Sequence, residues 1–197
     1  MKVELIRHTP EPEQLIKNAV SITTMTKPHE KIVKRLIKAG AESPLEHVVF
    51  TFKISGVSRI LTHQLVRHRI ASYTQESQRY VGYEKLTKSD IIKRIVVPLS
   101  KKYPNESYGE YLEFMEKEVE FYKRLRKVWK WNKEDARGVL GQCFTTCIYS
   151  TMNARSLRNF FKVRCHPKTQ WELRELANKM LKLCKEVLYD AFYDIGE

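Results

Sequence analysis

Lysine is spread over most of this chain, yet none occurs from Ile54 to Glu84, where the cations are Arg59, Arg67, Arg69 and Arg79. Arginine keeps its charge when partly buried and presents a planar fork of donors. That suits two-pronged contact with phosphate or carboxylate. The same stretch holds His63, Gln64, His68, Ser72, Thr74, Gln75, Ser77 and Gln78, few of which a core would select. A solvated basic edge is the plain reading of an arbitrary basic run. The missing lysine and the density of Gln, Ser and His argue instead for a surface that donates many hydrogen bonds to an anion.

Two further groups could join it. In Asn153-Ala154-Arg155-Ser156-Leu157-Arg158-Asn159, a helix would put Arg155 and Asn159 on one face, with Asn153 as its cap. An Asn cap alone is ordinary, but an Arg/Asn face at a helix start can also bind an anion. In Ser43-Pro44-Leu45-Glu46-His47, Ser43 and Glu46 have the spacing of a capping box, which predicts a helical turn. Arg137 and Arg164 flank these groups; taken singly, each reads as a surface residue. No GxGxxG and no phosphate-binding P-loop occurs, so a bound nucleotide would have to be held by side chains.

The elements that would carry these residues follow from periodicity. Val3 to Ile6 reads as a strand, and Glu11 to Ala19 and Pro28 to Ala39 as helices. From His47 to Ile54 apolar residues alternate, placing Val48, Phe50, Phe52 and Ile54 on one face of a strand. Ser58 to Val66 reads as a helix with Ile60, Leu61 and Leu65 as its apolar positions, and Arg67 to Tyr83 as an extended loop or edge strand. Ile95 to Leu99 reads as a short strand. Ser107 to Lys130 reads as a long amphipathic helix opened by a Ser107/Glu110 capping box, with Tyr108, Leu112, Met115, Val119, Tyr122 and Leu125 as its stripe.

Cys143 to Met152 fits helix or strand, and Ala154 to Val163 reads as helix. A last helix from Thr169 to Phe192 has a Thr169/Glu172 capping box and a stripe of Leu173, Leu176, Met180, Cys184, Val187 and Ala191. These elements do not alternate regularly. They predict one α+β domain over residues 1–197, mainly an antiparallel sheet packed by long amphipathic helices.

Composition bounds the function. The 197 residues are 42% hydrophobic and 11% aromatic, which supports a substantial core and argues against disorder. A net charge of +13 favours anionic partners without choosing among nucleic acid, acidic membrane and phosphorylated small molecules. Cys143, Cys147, Cys165 and Cys184 form no CxxC or zinc-finger spacing, so reduced thiols in a cytoplasmic protein are expected and no metal site is. The start of the chain does not read as a signal peptide, and no apolar stretch approaches the ~20 residues of a membrane helix. A basic nucleic-acid-binding module would account for the charge. It leaves the Asn153-to-Asn159 face and the Ser43/Glu46 element without a use, and no recognised nucleic-acid motif is present. A purely structural, oligomer-forming domain leaves the polar clusters unused as well.

The three groups, in this order, resemble the flavin-dependent thymidylate synthases. That family is marked by Arg-His-Arg, seven residues and Ser, which stand here as Arg67-His68-Arg69, Ile70 through Glu76, and Ser77. Its Ser/Thr-Pro-x-Glu-His element is seen as Ser43 to His47, and its Asn-x-Arg-Ser-Leu-x-Asn-Phe element as Asn153 to Phe160. Arg164 and then Gln170-Trp171-Glu172 follow, so the resemblance runs roughly from Ala19 to Ala177. Four positions depart from the pattern: Ala41 and Lys168 stand where histidine is common, Gln75 where glutamate is frequent, and Gly141 where proline is frequent.

The resemblance implies reductive methylation of dUMP to dTMP without a protein nucleophile. FAD would be the cofactor, methylenetetrahydrofolate the carbon donor and NADPH the reductant, in a homotetramer with shared active sites that binds neither nucleic acid nor membrane. It implies flavin contacts from Ser21, Ser43, Glu46, Arg67, His68, Arg69, Ile70, Gln75, Asn153, Arg155 and Asn159. It implies dUMP contacts from Gln64, Arg67, Gln75, Glu76, Ser77, Gln78, Arg79, Arg137 and Arg164. Arg79 and the backbone near Ser77 would take the phosphate. Arg164, as the catalytic group, would sit at the uracil and favour its ionised form. Ser77 is read as a hydrogen-bonding group, because no base for a serine nucleophile is evident. Cys165-His166 matches the Cys-His of the classical, flavin-free synthases, but this chain is short for that family and lacks its other motifs.

Overall fold

The alternation from Val48 to Ile54 does build a strand. In a computed structural model that describes residues 1–97 and 104–196, β2 (Val49–Ser58) buries Phe50, Phe52 and Ile54 while Thr51 and Lys53 stay half-exposed. It joins β1 (Lys2–His8), β3 (Ala71–Gln75) and β4 (Thr145–Asn153) in one sheet of order β1-β2-β4-β3. The register is antiparallel throughout. Thr9 N donates to Val49 O beside β1, and Ala154 N donates to Val48 O where β4 leaves the sheet. Thr51 and Thr151 face each other 3.0 Å apart on β2 and β4, and Glu76 N donates to Cys147 O beside β3. The ambiguous apolar stretch at Cys143 thus resolves as strand. Its β-branched residues suit a pleated surface, and Thr146, Ile148, Ser150 and Met152 alternate inward.

Eight helices are present among the described residues: α1 (Pro12–Thr24), α2 (Ile32–Lys38), α3 (Arg59–Leu65), α4 (Lys88–Lys93), α5 (Asn105–Lys127), α6 (Lys133–Ala136), α7 (Ala154–Arg164) and α8 (Trp171–Phe192). With the antiparallel sheet they give the expected α+β class. The chain divides into two compact units. One comprises Met1–Ile54, His63–Thr74 and Ile148–Glu197; the other comprises Ser55–Thr62 and Gln75–Cys147.

In the first unit α8 packs on α7, α2 and β1. Phe50, Phe161 and Phe192 meet edge-on at centroid distances of 6.1 and 5.7 Å, a favoured aromatic geometry. Helix α7 splits its charges by face. Arg155 and Asn159 are exposed, whereas Arg158 is 1% exposed among Leu157, Phe160 and Phe161. The Arg158 guanidinium donates to Glu42 at 3.0 Å and to both Asp194 oxygens at 2.7 and 2.8 Å, and also to the Ala191 carbonyl. Burial opposes its charge, but these partners outweigh burial and raise its pKa.

In the second unit α5 packs on α4 and α6 over a core of Tyr83, Ile91, Ile95, Met115, Val119, Tyr122, Phe144 and neighbours.

Several helix ends differ from the sequence reading. Helix α2 starts only at Ile32, after a turn closed by Ile32 N on His29 O. Helix α3 buries Leu61 and Leu65 but leaves Ile60 40% exposed. Helix α5 begins at Asn105, so Ser107 lies inside its first turn, where its hydroxyl donates to Pro104 O at 2.6 Å rather than capping. Gln170, not Thr169, caps α8: its side chain accepts from Leu173 N at 2.9 Å, and Thr169 donates to Val163 O instead. Near its end α8 departs from helical geometry at Leu188 (φ −145°, ψ 68°). The kink shifts the phase of the stripe, so Leu188 is buried and Val187 only half-buried. Of the strand expected from Ile95 to Leu99, Ile95 forms an antiparallel bridge to Phe144; the stretch from Pro98 lies outside the described residues.

Candidate active site

Within the first unit the Arg-His-Arg triplet follows α3 in a turn held from both sides. His68 N donates to Leu65 O at 3.0 Å. The Tyr73 hydroxyl, on β3, lies 2.9 Å from Leu65 O and 3.1 Å from His68 O. Burial pushes the Tyr73 phenol well above its ordinary pKa, against a weaker opposing hydrogen bond with Ser150, so it remains a donor. His68 is thereby presented to α7. Its ring and that of Phe160 pack T-shaped at a centroid distance of 4.9 Å, and Arg164 Nε donates to His68 Nε2 at 2.8 Å. An imidazole that accepts at Nε2 carries its proton on Nδ1. Burial lowers the His68 pKa, and the neighbouring Arg164 charge lowers it further, so the neutral ring is the stable form.

Several other expected flavin contacts lie at the start of α7 or on the Ser43–His47 turn packed against it. Asn153 caps the helix by accepting from Ser156 N at 2.8 Å. Ser43–His47 forms a 3-10 turn without a side-chain cap, so the Ser43/Glu46 capping box is not made. Glu46 instead reaches Arg155 at 2.5 Å. Arg67, Arg69, Ile70, Ser43, Glu46, Arg155 and Asn159 are all exposed, whereas Gln64 is half-buried. Ser21 stands apart. Its hydroxyl donates to Asn18 O, and it lines a cavity of about 620 Å³ whose lining includes none of the other expected residues.

The expected phosphate group belongs to the second unit. Ser77 O accepts from both Tyr80 N and Val81 N, and Ser77 Oγ accepts from Arg79 N at 3.2 Å. Arg79 reaches the Glu134 carboxylate at 3.1 Å, and Arg137 donates to the Glu134 carbonyl at 3.1 Å, so one residue gathers both guanidiniums. Gln75 donates to Thr62 and Thr146 hydroxyls at 3.1 and 3.3 Å; the uncharged amide has two acceptors to satisfy it. Gln78 is buried, with its amide donating to the Tyr83 hydroxyl at 3.2 Å. Gly141, in place of the frequent proline, donates its N–H to Glu118 at 2.9 Å, a bond proline cannot make.

Sequence reading did not single out Tyr73, Phe160, Glu134 or the buried Arg158 as residues that hold these groups. Each was visible as a residue type. Phe160 and Arg158 meet partners distant in sequence, and the short-range bonds of Tyr73 and Glu134 belong to no recognised spacing. Among the described residues no cluster of three or more His, Cys, Asp or Glu could hold a metal ion, and no helix is long and apolar enough to cross a membrane.

Comparison with known proteins decides the family. The family described as "Thymidylate synthase complementing protein" matches residues 4–188. A flavin-dependent thymidylate synthase of Clostridium tetani is 41% identical over 98% of this chain and 85% of its own length. The chain belongs to the flavin-dependent thymidylate synthase family. A relative of that name from Pyrococcus horikoshii is 42% identical over 92% of this chain and 78% of its own. The fold agrees with a crystal structure of a flavin-dependent thymidylate synthase from Helicobacter pylori complexed with FAD and dUMP. Its TM-score is 0.79 at 22% identity, with both chains covered completely. Segments far apart in sequence come together here: the His68 turn and α7 meet side chain to side chain.

Proposed function

We propose that this chain binds FAD and converts dUMP to dTMP, with methylenetetrahydrofolate as carbon donor and NADPH as reductant. The observation that carries the reading is the Arg164–His68 hydrogen bond, which joins the Arg-His-Arg motif to the arginine beyond the Asn153-to-Phe160 motif. The residues present fit a flavin nucleotide. Exposed Arg67 and Arg69, the Arg155/Asn159 face and the Asn153-capped start of α7 supply the donors that a diphosphate and a ring edge need. When bound, reduced flavin supplies the hydride.

The protein's part is positioning and charge stabilisation. Arg79 and the backbone at Ser77 take the dUMP phosphate, and Arg137 lies beside them through their shared Glu134. His68 engages Arg164 at Nε, and in this reading the remaining guanidinium donors serve the uracil and favour its ionised ring. No protein nucleophile is used. Burial raises the Cys165 thiol to about 11, which leaves little thiolate near neutral pH, and the Ser77 hydroxyl accepts from a backbone N–H rather than meeting a base. The reading includes a homotetramer in the cytoplasm, without nucleic acid or membrane as partners; Ile70, Glu46 and Asn159, exposed on a single copy, are open to contacts from another subunit.

The test is direct. The purified protein is expected to be yellow and to form dTMP only when dUMP, methylenetetrahydrofolate and NADPH are all present. A colourless protein that gains no turnover when FAD is added would overturn the reading.

A further inference from the structure

Arg59 opens α3 and has no role in the site described above. Its backbone is fixed: Arg59 N donates to Gln142 O at 2.9 Å, and Thr62 Oγ1 donates to Arg59 O at 3.2 Å. Its Nη2 donates to the Glu76 carbonyl at 2.9 Å. Its Nε is buried and has no hydrogen-bond partner among the described residues, an arrangement that costs stability and that hydrophobic packing alone would not select. Burial lowers the Arg59 pKa most; Tyr83 and Glu76 oppose that, and the nearby positive charge of Arg137 adds to it.

Glu76 is clamped at both ends of its backbone, its N–H on Cys147 O at 2.8 Å and its carbonyl on Arg59. Glu76 C=O and Ser77 N–H belong to one peptide plane. In a trans peptide these two groups point in opposite directions. A guanidinium on the carbonyl therefore fixes where the Ser77 N–H points, and it resists rotation of that plane. Behind it the turn is closed by Tyr80 N and Val81 N on Ser77 O. Arginine suits this task, because it keeps its charge in a half-buried site.

We propose that Arg59 is a positioning residue for the substrate phosphate, holding the Glu76 carbonyl so that the Ser77 N–H faces the anion. This rests on the reading that the Ser77 turn receives the dUMP phosphate. The geometry gives it a signature that simple structural support does not have: the loss should follow the phosphate and spare the nucleoside.

The experiment compares holoenzyme of the unmutated protein with Arg59→Met and Arg59→Lys. It measures dUMP affinity by calorimetry and deoxyuridine affinity by competition against dUMP, with bound flavin and melting temperature recorded for each. The expected result is about tenfold weaker dUMP binding in Arg59→Met, unchanged deoxyuridine affinity and flavin content, and partial recovery in Arg59→Lys. Should Arg59→Met fail to fold, Arg59→Lys alone must still lose dUMP affinity and retain that for deoxyuridine. Parallel weakening of both ligands, or unchanged dUMP binding, overturns the proposal. If the unmutated protein binds flavin but no dUMP, the substrate reading itself fails, and that outcome is seen before any variant is made.

Discussion

Arg164 Nε donates to His68 Nε2 at 2.8 Å, across 96 positions of sequence. The bond exists only while the imidazole is neutral, since a protonated ring has no acceptor. His68 has a folded-state pKa below the ordinary ~6.5, because burial and then Arg164 disfavour its charged form. Its contribution is therefore complete above about pH 6.5 and is lost as pH falls through the lower folded value. Thymidylate formation should weaken on that acid limb. Arg164→Lys should lower kcat by about 100-fold, the scale for losing one oriented donor, with flavin retained. A pH–rate profile settles the first expectation and single-turnover kinetics the second. An acid limb that is unchanged in His68→Gln would show that another group titrates.

Arg155 and Glu46 form an ion pair at 2.5 Å with side chains 52% and 44% exposed. Exposed pairs contribute about 0–1 kcal/mol to stability. Arg155→Met should therefore shift the denaturation midpoint little while releasing much of the flavin. Flavin absorbance after gel filtration measures this. Full flavin retention in Arg155→Met would remove that residue from the cofactor site.

Arg158 is the opposite case. It is 1% exposed and ties α7 to Glu42 and to Asp194. Arg158→Met should cost about 3 kcal/mol, because removing one partner of a buried network leaves the others uncompensated. Urea denaturation would measure it. The Arg158 hydrogen bond also holds the Asp194 carboxyl below its usual range, with burial opposing. That stabilisation is present above about pH 4, the unfolded value, and fades as pH falls through the lower folded one. The gap between the two proteins should close in acid; a pH-independent gap would argue for lost packing instead.

Cys165→Ala should keep most of the activity, within about threefold. The thiol is half-buried and raised to about 11, so its thiolate is scarce near neutral pH. Mass spectrometry of the protein mixed with dUMP should find no adduct at Cys165. Either a covalent adduct or complete loss of turnover would restore the cysteine mechanism.

Much of this was legible in the chain. The alternation at Val48 to Ile54 gave β2, because a one-residue slip would expose its whole apolar face. The lysine-free stretch marked the Ser77 turn and the His68 turn, because arginine, glutamine and serine side chains are costly to bury without partners. Asn153 was readable as a cap, since capping is local. Other caps misled. Ser43, Ser107 and Thr169 have the right spacing, but competing partners took their places: Arg155 draws Glu46 away, Pro104 O takes the Ser107 hydroxyl, and Gln170 caps α8.

By itself the sequence determined the α+β class and most of the strands and helices, and it named the polar residues proposed for the site. These follow from periodicity and side-chain chemistry within a few neighbours. Only the tertiary structure decided which distant groups meet. Nothing in the spacing of residues 68 and 164 states that one guanidinium nitrogen will find one imidazole nitrogen. Nor does the helical pattern distinguish the exposed Arg155 from the buried Arg158, three residues apart on α7. That choice depends on where Glu42 and Asp194 are carried by the rest of the fold, since a buried charge persists only where opposite charges already wait for it.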